Sequence, residues 1–155
     1  MLSLSSFSDN IVNSCKATSI EFLGAKDVSI TVVNPEVIFE EISGPSIEVR
    51  GKKIHYSCIL EYKADQSLQI LDLFSQNYPF LNKDELPELD LLDLLGEFLN
   101  ILSGKINKEL ESVEGDLSIE IPYFEYGIDV EESQQFGSIE CLFDNVKFNI
   151  HFVIN

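Results

Sequence analysis

The sequence predicts an α+β domain, its helices packed against a mixed or mostly antiparallel sheet. Three observations carry that expectation. Residues 86–113 have apolar side chains at helical spacing, the signature of one long amphipathic helix. Residues 46–50 with 54–62, and 136–143 with 146–153, are paired alternating segments joined by short turns. The order helix, strands, two helices, strands favours hairpins over parallel crossovers.

Taken in order, residues 8–22 form the first predicted helix, with Phe7, Ile11, Cys15 and Phe22 near one side. Ser8 and Asp9 are its candidate caps and Gly24 its C-terminal stop. Residues 28–33, VSITVV, alternate and are β-branched, hence a strand, and Asn34-Pro35 breaks it. Residues 37–42 fit a short strand or a turn of helix, and Ser43-Gly44-Pro45 reads as a loop. Gly51-Lys52-Lys53 turns the first hairpin. Asp65 caps a helix running to about Tyr78, which Pro79 terminates. After the central helix, residues 118–123 form a strand and a loop runs to Gln135. Asp144-Asn145 is a two-residue hairpin turn. In the last strand Val146, Phe148, Ile150, Phe152 and Ile154 alternate with Lys147, Asn149, His151 and Val153, which predicts one buried face. A length of 155 residues fits one domain, 1–155.

Composition narrows the function classes. A net charge of −17 argues against nucleic acid and anionic membrane as partners, since both require clustered Lys and Arg. No apolar run approaches the ~18 residues that span a bilayer, and MLSLSSFSDN lacks the basic start and apolar run of a signal peptide. Cys15, Cys58 and Cys141 are odd in number and widely spaced among apolar residues, so buried free thiols in a reducing, cytoplasmic setting are expected. His55 and His151 have no second ligand at zinc spacing and read as strand-surface or satisfied core residues. The chain carries no phosphate-cradling glycine motif, no calcium-loop pattern and no nucleophile elbow.

The central helix holds the remaining chemistry. Pro87 sits in its first turn, with Glu88 and Asp90 at the positive end of the dipole. Leu92, Leu95, Leu99, Leu102, Ile106, Leu110 and Val113 form its apolar stripe. At about 100° per residue, Asp93, Glu97, Asn100 and Gly104 share another face, with Leu94, Phe98 and Ile101 between. By residue type alone, an acid and an amide three residues apart are an ordinary solvated face.

Asp93-x-x-x-Glu97-x-x-Asn100, then Gly104, then Leu117-Ser-Ile-Glu-Ile-Pro122, resembles the signature of the CheC/CheX/FliY family of chemotaxis phosphatases. The single helix signature and the chain length resemble CheX more than CheC, which carries two copies. The resemblance covers residues 90–127 well and is weak before Ser46. It implies a CheX-like fold and hydrolysis of the aspartyl phosphate on a response-regulator receiver domain. It assigns Asn100 to orienting the attacking water and Glu97 to pairing with the partner's active-site lysine. Asp93, Gly104, Leu94 and Ile101 become supporting and partner-docking residues. No cofactor of the chain's own is implied, and magnesium is expected on the receiver. A homodimer is a further expectation, with the apolar terminal hairpin as its edge. The alternative is a non-catalytic adaptor or flagellar-switch-like interaction domain. An acid-rich receiver and a chain at −17 repel at long range, which Lys105 and Lys108 relieve locally.

Overall fold

The computed structural model describes residues 3–75, 91–113 and 115–155. The predicted start of the central helix, with Pro87, Glu88 and Asp90, and the predicted end of the second helix, at Tyr78 and Pro79, lie outside them.

The first helix, α1, spans Leu4–Glu21 and starts earlier than the sequence suggested, because Ser3 is the cap: its Oγ accepts from the Ser6 N–H at 3.2 Å. Ser8 is instead a mid-helix residue whose hydroxyl donates back to the Leu4 carbonyl at 2.8 Å. Gly24, at φ 61°, takes the left-handed conformation that ends the helix region. Strand β1, Val28–Val33, follows as expected. The ambiguous segment is a single 3₁₀ turn, Phe39–Glu41. Strand β2, Ser43–Arg50, absorbs the expected loop at Ser43-Gly44-Pro45. Pro45 is tolerated because only one neighbouring strand pairs with β2 there. Gly44 is needed because a Cβ would lie 2.0 Å from the Leu60 carbonyl oxygen.

Strand β3 is His55–Glu61. Helix α2, Ser67–Ser75, is entered through a 3₁₀ turn with no side-chain cap, so Asp65 supplies first-turn charge rather than a capping bond. Helix α3 spans Leu91–Leu110. The predicted strand at 118–123 divides into β4, Ser118–Ile119, and β5, Tyr123–Tyr126. Strands β6, Gln135–Phe143, and β7, Val146–Ile154, form the terminal hairpin. Its turn residues Asp144 and Asn145 have φ 46° and 72°, the mirror-image turn that suits twisted strands. The Asp144 carboxylate also accepts from the Lys26 and Asp27 N–H groups, tying this turn to the start of β1.

All pairings are antiparallel, in the order β1-β6-β7-β3-β2, with β4 and β5 sharing the outer side of β2. The terminal hairpin is therefore the middle of the sheet rather than its edge. Strand β6 lies between β1 and β7, and β7 between β6 and β3. The expectation of a single buried face holds for the first half of β7, where Lys147 is exposed and Asn149 half-buried, and fails for the second, where His151 and Val153 are buried as well. The Phe39 ring packs on Phe136 at 4.9 Å, and Phe136 stacks on His151 at 5.8 Å, so the segment after β1 closes the far face. His151 is satisfied there: the Ser138 hydroxyl donates to Nδ1 at 2.7 Å and Nε2 donates to Glu61 at 2.8 Å.

The helices occupy the other face, α1 against β1 and β6, α3 against α1 and β2. Leu95, Leu99, Leu102 and Ile106 are fully buried, each contributing about 1.5–3 kcal/mol of hydrophobic stabilisation. Tyr56 reaches up from β3, its ring edge-on to Phe7 at 5.0 Å and its hydroxyl donating to Asn107 Oδ1 at 2.8 Å. Burial raises its pKa, and likewise that of the Cys58 thiol. All three cysteines are free and buried.

Candidate functional site on the outer face of the central helix

Helix α3 buries its Leu stripe against the sheet and leaves the opposite face open. Asp93, Glu97, Asn100 and Gly104 are all exposed, and Ile101 is half-buried beside them. Neighbours three and four apart on a helix have Cβ atoms about 5–6 Å apart, so Glu97 reaches both Asp93 and Asn100. Among the described residues, the side chains of Asp93, Glu97 and Asn100 engage in no hydrogen bond or ion pair. Carboxylates and an amide held on a rigid helix without partners are free to meet an incoming one.

Leu94 is not part of that surface. It is 7% exposed and belongs to the core. Its flank of the helix also carries Phe98 and Lys105, and both are engaged with the α1 end: Phe98 with Phe22 at 6.4 Å, Lys105 with Glu21 at 2.6 Å. The flank is closed around Leu94, which packs in the core rather than docks. Lys105 is partly neutralised by its ion pair, while Lys108 remains exposed in the last turn. Val113, expected in the stripe, is 47% exposed because the helix ends at Leu110.

The opposite flank holds two residues that the sequence pattern did not single out. Gly96 is buried, and a Cβ added there would lie 3.0 Å from Pro122 Cβ. A glycine inside a helix costs roughly 0.5–1 kcal/mol relative to alanine, and here it admits the proline of the edge strand against the helix backbone. The mid-helix glycine was the available signal. Gly104 differs, since nothing lies within 4 Å of its would-be Cβ. Ile121, just before Pro122, is 85% exposed.

Among the described residues, no group of His, Cys, Asp and Glu could hold a metal ion, and no helix is long and apolar enough to cross a membrane. No protein-family model matches the sequence, and no curated protein matches it. Solved structures do match. A chain of the CheX–CheY–BeF3–magnesium complex from Borrelia burgdorferi aligns with TM-score 0.69 at 15% identity, over 96% of this chain and 97% of that one. CheX from Vibrio vulnificus aligns with TM-score 0.67 at 12% identity over 100% of both chains. FliY from Thermotoga maritima aligns with TM-score 0.58 at 17% identity, over 99% of this chain and 91% of that one. Among the described residues, three helices pack on a seven-stranded antiparallel sheet, and the match over nearly the whole length gives this chain the fold of the CheX, CheC-like and FliY proteins.

Proposed function

We propose that this protein is a phosphatase for the aspartyl phosphate of a receiver domain. The observation that supports it most is the exposed, unengaged pair Glu97 and Asn100 on one face of α3, on a fold shared with a CheX crystallised with CheY. The receiver supplies the magnesium and the lysine that hold the phosphoryl oxygens. The Asn100 amide accepts from the attacking water through its carbonyl and donates through its NH₂, placing the water in line with phosphorus. As the water oxygen bonds to phosphorus, the bond to the aspartyl oxygen breaks, leaving free carboxylate and inorganic phosphate. The Glu97 carboxylate pairs with the receiver lysine and sets the docking register. Asp93 supports that contact from one turn away, and Ile101 gives apolar contact at the rim.

The test is phosphate release from several phosphorylated receivers, each with and without the protein. Accelerated release from at least one, lost in Asn100→Ala, is the expected result. Binding without acceleration would mark a non-catalytic adaptor instead. A homodimer is an accompanying proposal, its candidate edges now β1 and β4–β5; sedimentation showing only monomer at about tens of micromolar would end it.

Gly104→Ala separates docking from stability. With open space around the position, alanine should raise stability by roughly 0.5–1 kcal/mol, about 1–4 °C in Tm. If the receiver backbone approaches there, the same methyl should raise KM several-fold. A higher Tm with unchanged KM would remove Gly104 from the docking surface.

A further inference from the structure

We infer that Gly96 is a positioning residue, the notch in α3 through which Pro122 of the edge strand sets where Glu97 and Asn100 stand. The inference rests on the phosphatase reading above and concerns how the fold holds that site in place, which that reading does not address.

The sheet side of the contact is built by its register. Strand β4 pairs Val49 with Ile119, and the Glu120 N–H donates to the Glu48 carbonyl at 2.9 Å. Strand β5 resumes with Ser46 opposite Tyr123. Ile121 and Pro122 thus both stand opposite Ile47, two residues against one, which is a β-bulge. Unbroken alternation would have turned Ile121 to the same side as Ile119, which packs against the core. The bulge shifts that phase by one residue, leaves Ile121 outside, and turns Pro122 to the helix instead. Pro122 has no N–H to satisfy there and its ring is rigid. Strand pairing holds the chain on both sides of it.

The helix side of the contact is bare backbone. A Cβ at Gly96 would lie 3.0 Å from Pro122 Cβ and 3.5 Å from its Cγ, at or inside the roughly 3.5–4.0 Å at which carbons pack best. Glycine is the least favourable residue in a helix interior after proline, and proteins break such local rules mainly at functional sites. Position 96 adjoins Glu97, and in an α-helix its carbonyl accepts the backbone N–H of Asn100. The C-terminal half of α3 is tied down by hydrogen bonds, Tyr56 to Asn107 at 2.8 Å and Asn10 to the Ile106 carbonyl at 3.4 Å. The turn that carries Glu97 and Asn100 meets the edge strand through Gly96 and Pro122. Backbone against a rigid ring has no side-chain torsion to absorb a shift, so a displacement at position 96 passes to both polar side chains. Placement of an attacking water tolerates about 0.5 Å, and a misplacement of about 1 Å costs about 100-fold in rate.

The experiment measures kcat, KM and Tm on the full chain, with a phosphorylated receiver that the wild type dephosphorylates, for Gly96→Ala, Pro122→Gly and the two combined. Gly96→Ala forces α3 and the proline apart and should lower kcat about tenfold with KM within about twofold. Pro122→Gly leaves the notch empty and should lower kcat about fivefold. In the combined variant the new methyl takes the space that the ring has left, and kcat should return to within about twofold of wild type. A contact that serves stability alone would move Tm and leave kcat per folded molecule unchanged in all three. Wild-type kcat in Gly96→Ala, with Asn100→Ala inactive, overturns this inference and leaves the phosphatase reading standing. A loss of kcat that the combined variant does not recover overturns it too. Where Gly96→Ala fails to fold, Pro122→Gly decides alone, and wild-type kcat there is the overturning result. If no receiver is dephosphorylated by the wild type, the reading and the inference fall together.

Discussion

Asn100→Ala should lower receiver dephosphorylation by two or more orders of magnitude, on the order of 3 kcal/mol of transition-state stabilisation. In the proposed mechanism the amide acts after docking, on the water, so affinity for a receiver carrying a phosphoryl mimic should change little. Glu97→Ala should split the other way. If its carboxylate pairs with the receiver lysine as proposed, removing it should weaken binding and raise KM along with lowering the rate. Neither variant should lose stability, because both positions are exposed on α3 and alanine suits a helix interior. Single-turnover phosphate release, paired with equilibrium binding, reads both quantities. Wild-type turnover in Asn100→Ala would refute the mechanism outright, whatever Glu97→Ala does.

The central helix was legible because two independent periodicities coincide there. Leu95, Leu99, Leu102, Ile106 and Leu110 keep a strict three-and-four spacing, and all are buried. Asp93, Glu97, Asn100 and Gly104 keep the same spacing on the exposed side. The residues between the two faces were not legible, because helical phase says nothing about what covers a flank. Leu94 and Ile101 lie close in phase, yet Leu94 is buried in the core and Ile101 stays half open. The sheet divides in the same way. Hairpins are local, so β2–β3 and β6–β7 were readable from alternation and turn chemistry. Which hairpin lies central depends on long-range pairing, and β1 closing on β6 carries no sequence signal. The bulge at Ile121 was hidden for a related reason: Ser118-Ile119-Glu120-Ile121 alternates well, and only the register with β2 shows that the alternation is broken.

Phe98 sits beside Glu97 in sequence, and Phe98→Ala should be the most destabilising of the substitutions considered. By phase alone it lies between the polar face and the stripe, but it is fully buried. Its ring lies 5.6 Å from Phe74 on α2, 6.2 Å from Phe148 and 6.5 Å from Phe143 on the terminal hairpin, and 6.4 Å from Phe22 beyond α1. One side chain therefore joins all three helix regions to the middle of the sheet, mostly through the edge-on and tilted geometry that aromatic pairs prefer. Truncation to alanine removes that burial and leaves a cavity whose rigid aromatic walls collapse poorly, a cost of about 3–5 kcal/mol. Against a total stability of roughly 5–15 kcal/mol, that is a large fraction, and it corresponds to a Tm lowered by roughly 6–20 °C. The denaturant midpoint should fall with an unchanged m-value, as expected when the native fold persists but is weaker. Well below the new Tm, turnover per folded molecule should stay within a few-fold of wild type, because the ring points away from the face that carries Glu97 and Asn100. A Tm unchanged within error would contradict the central place of Phe98 in the core.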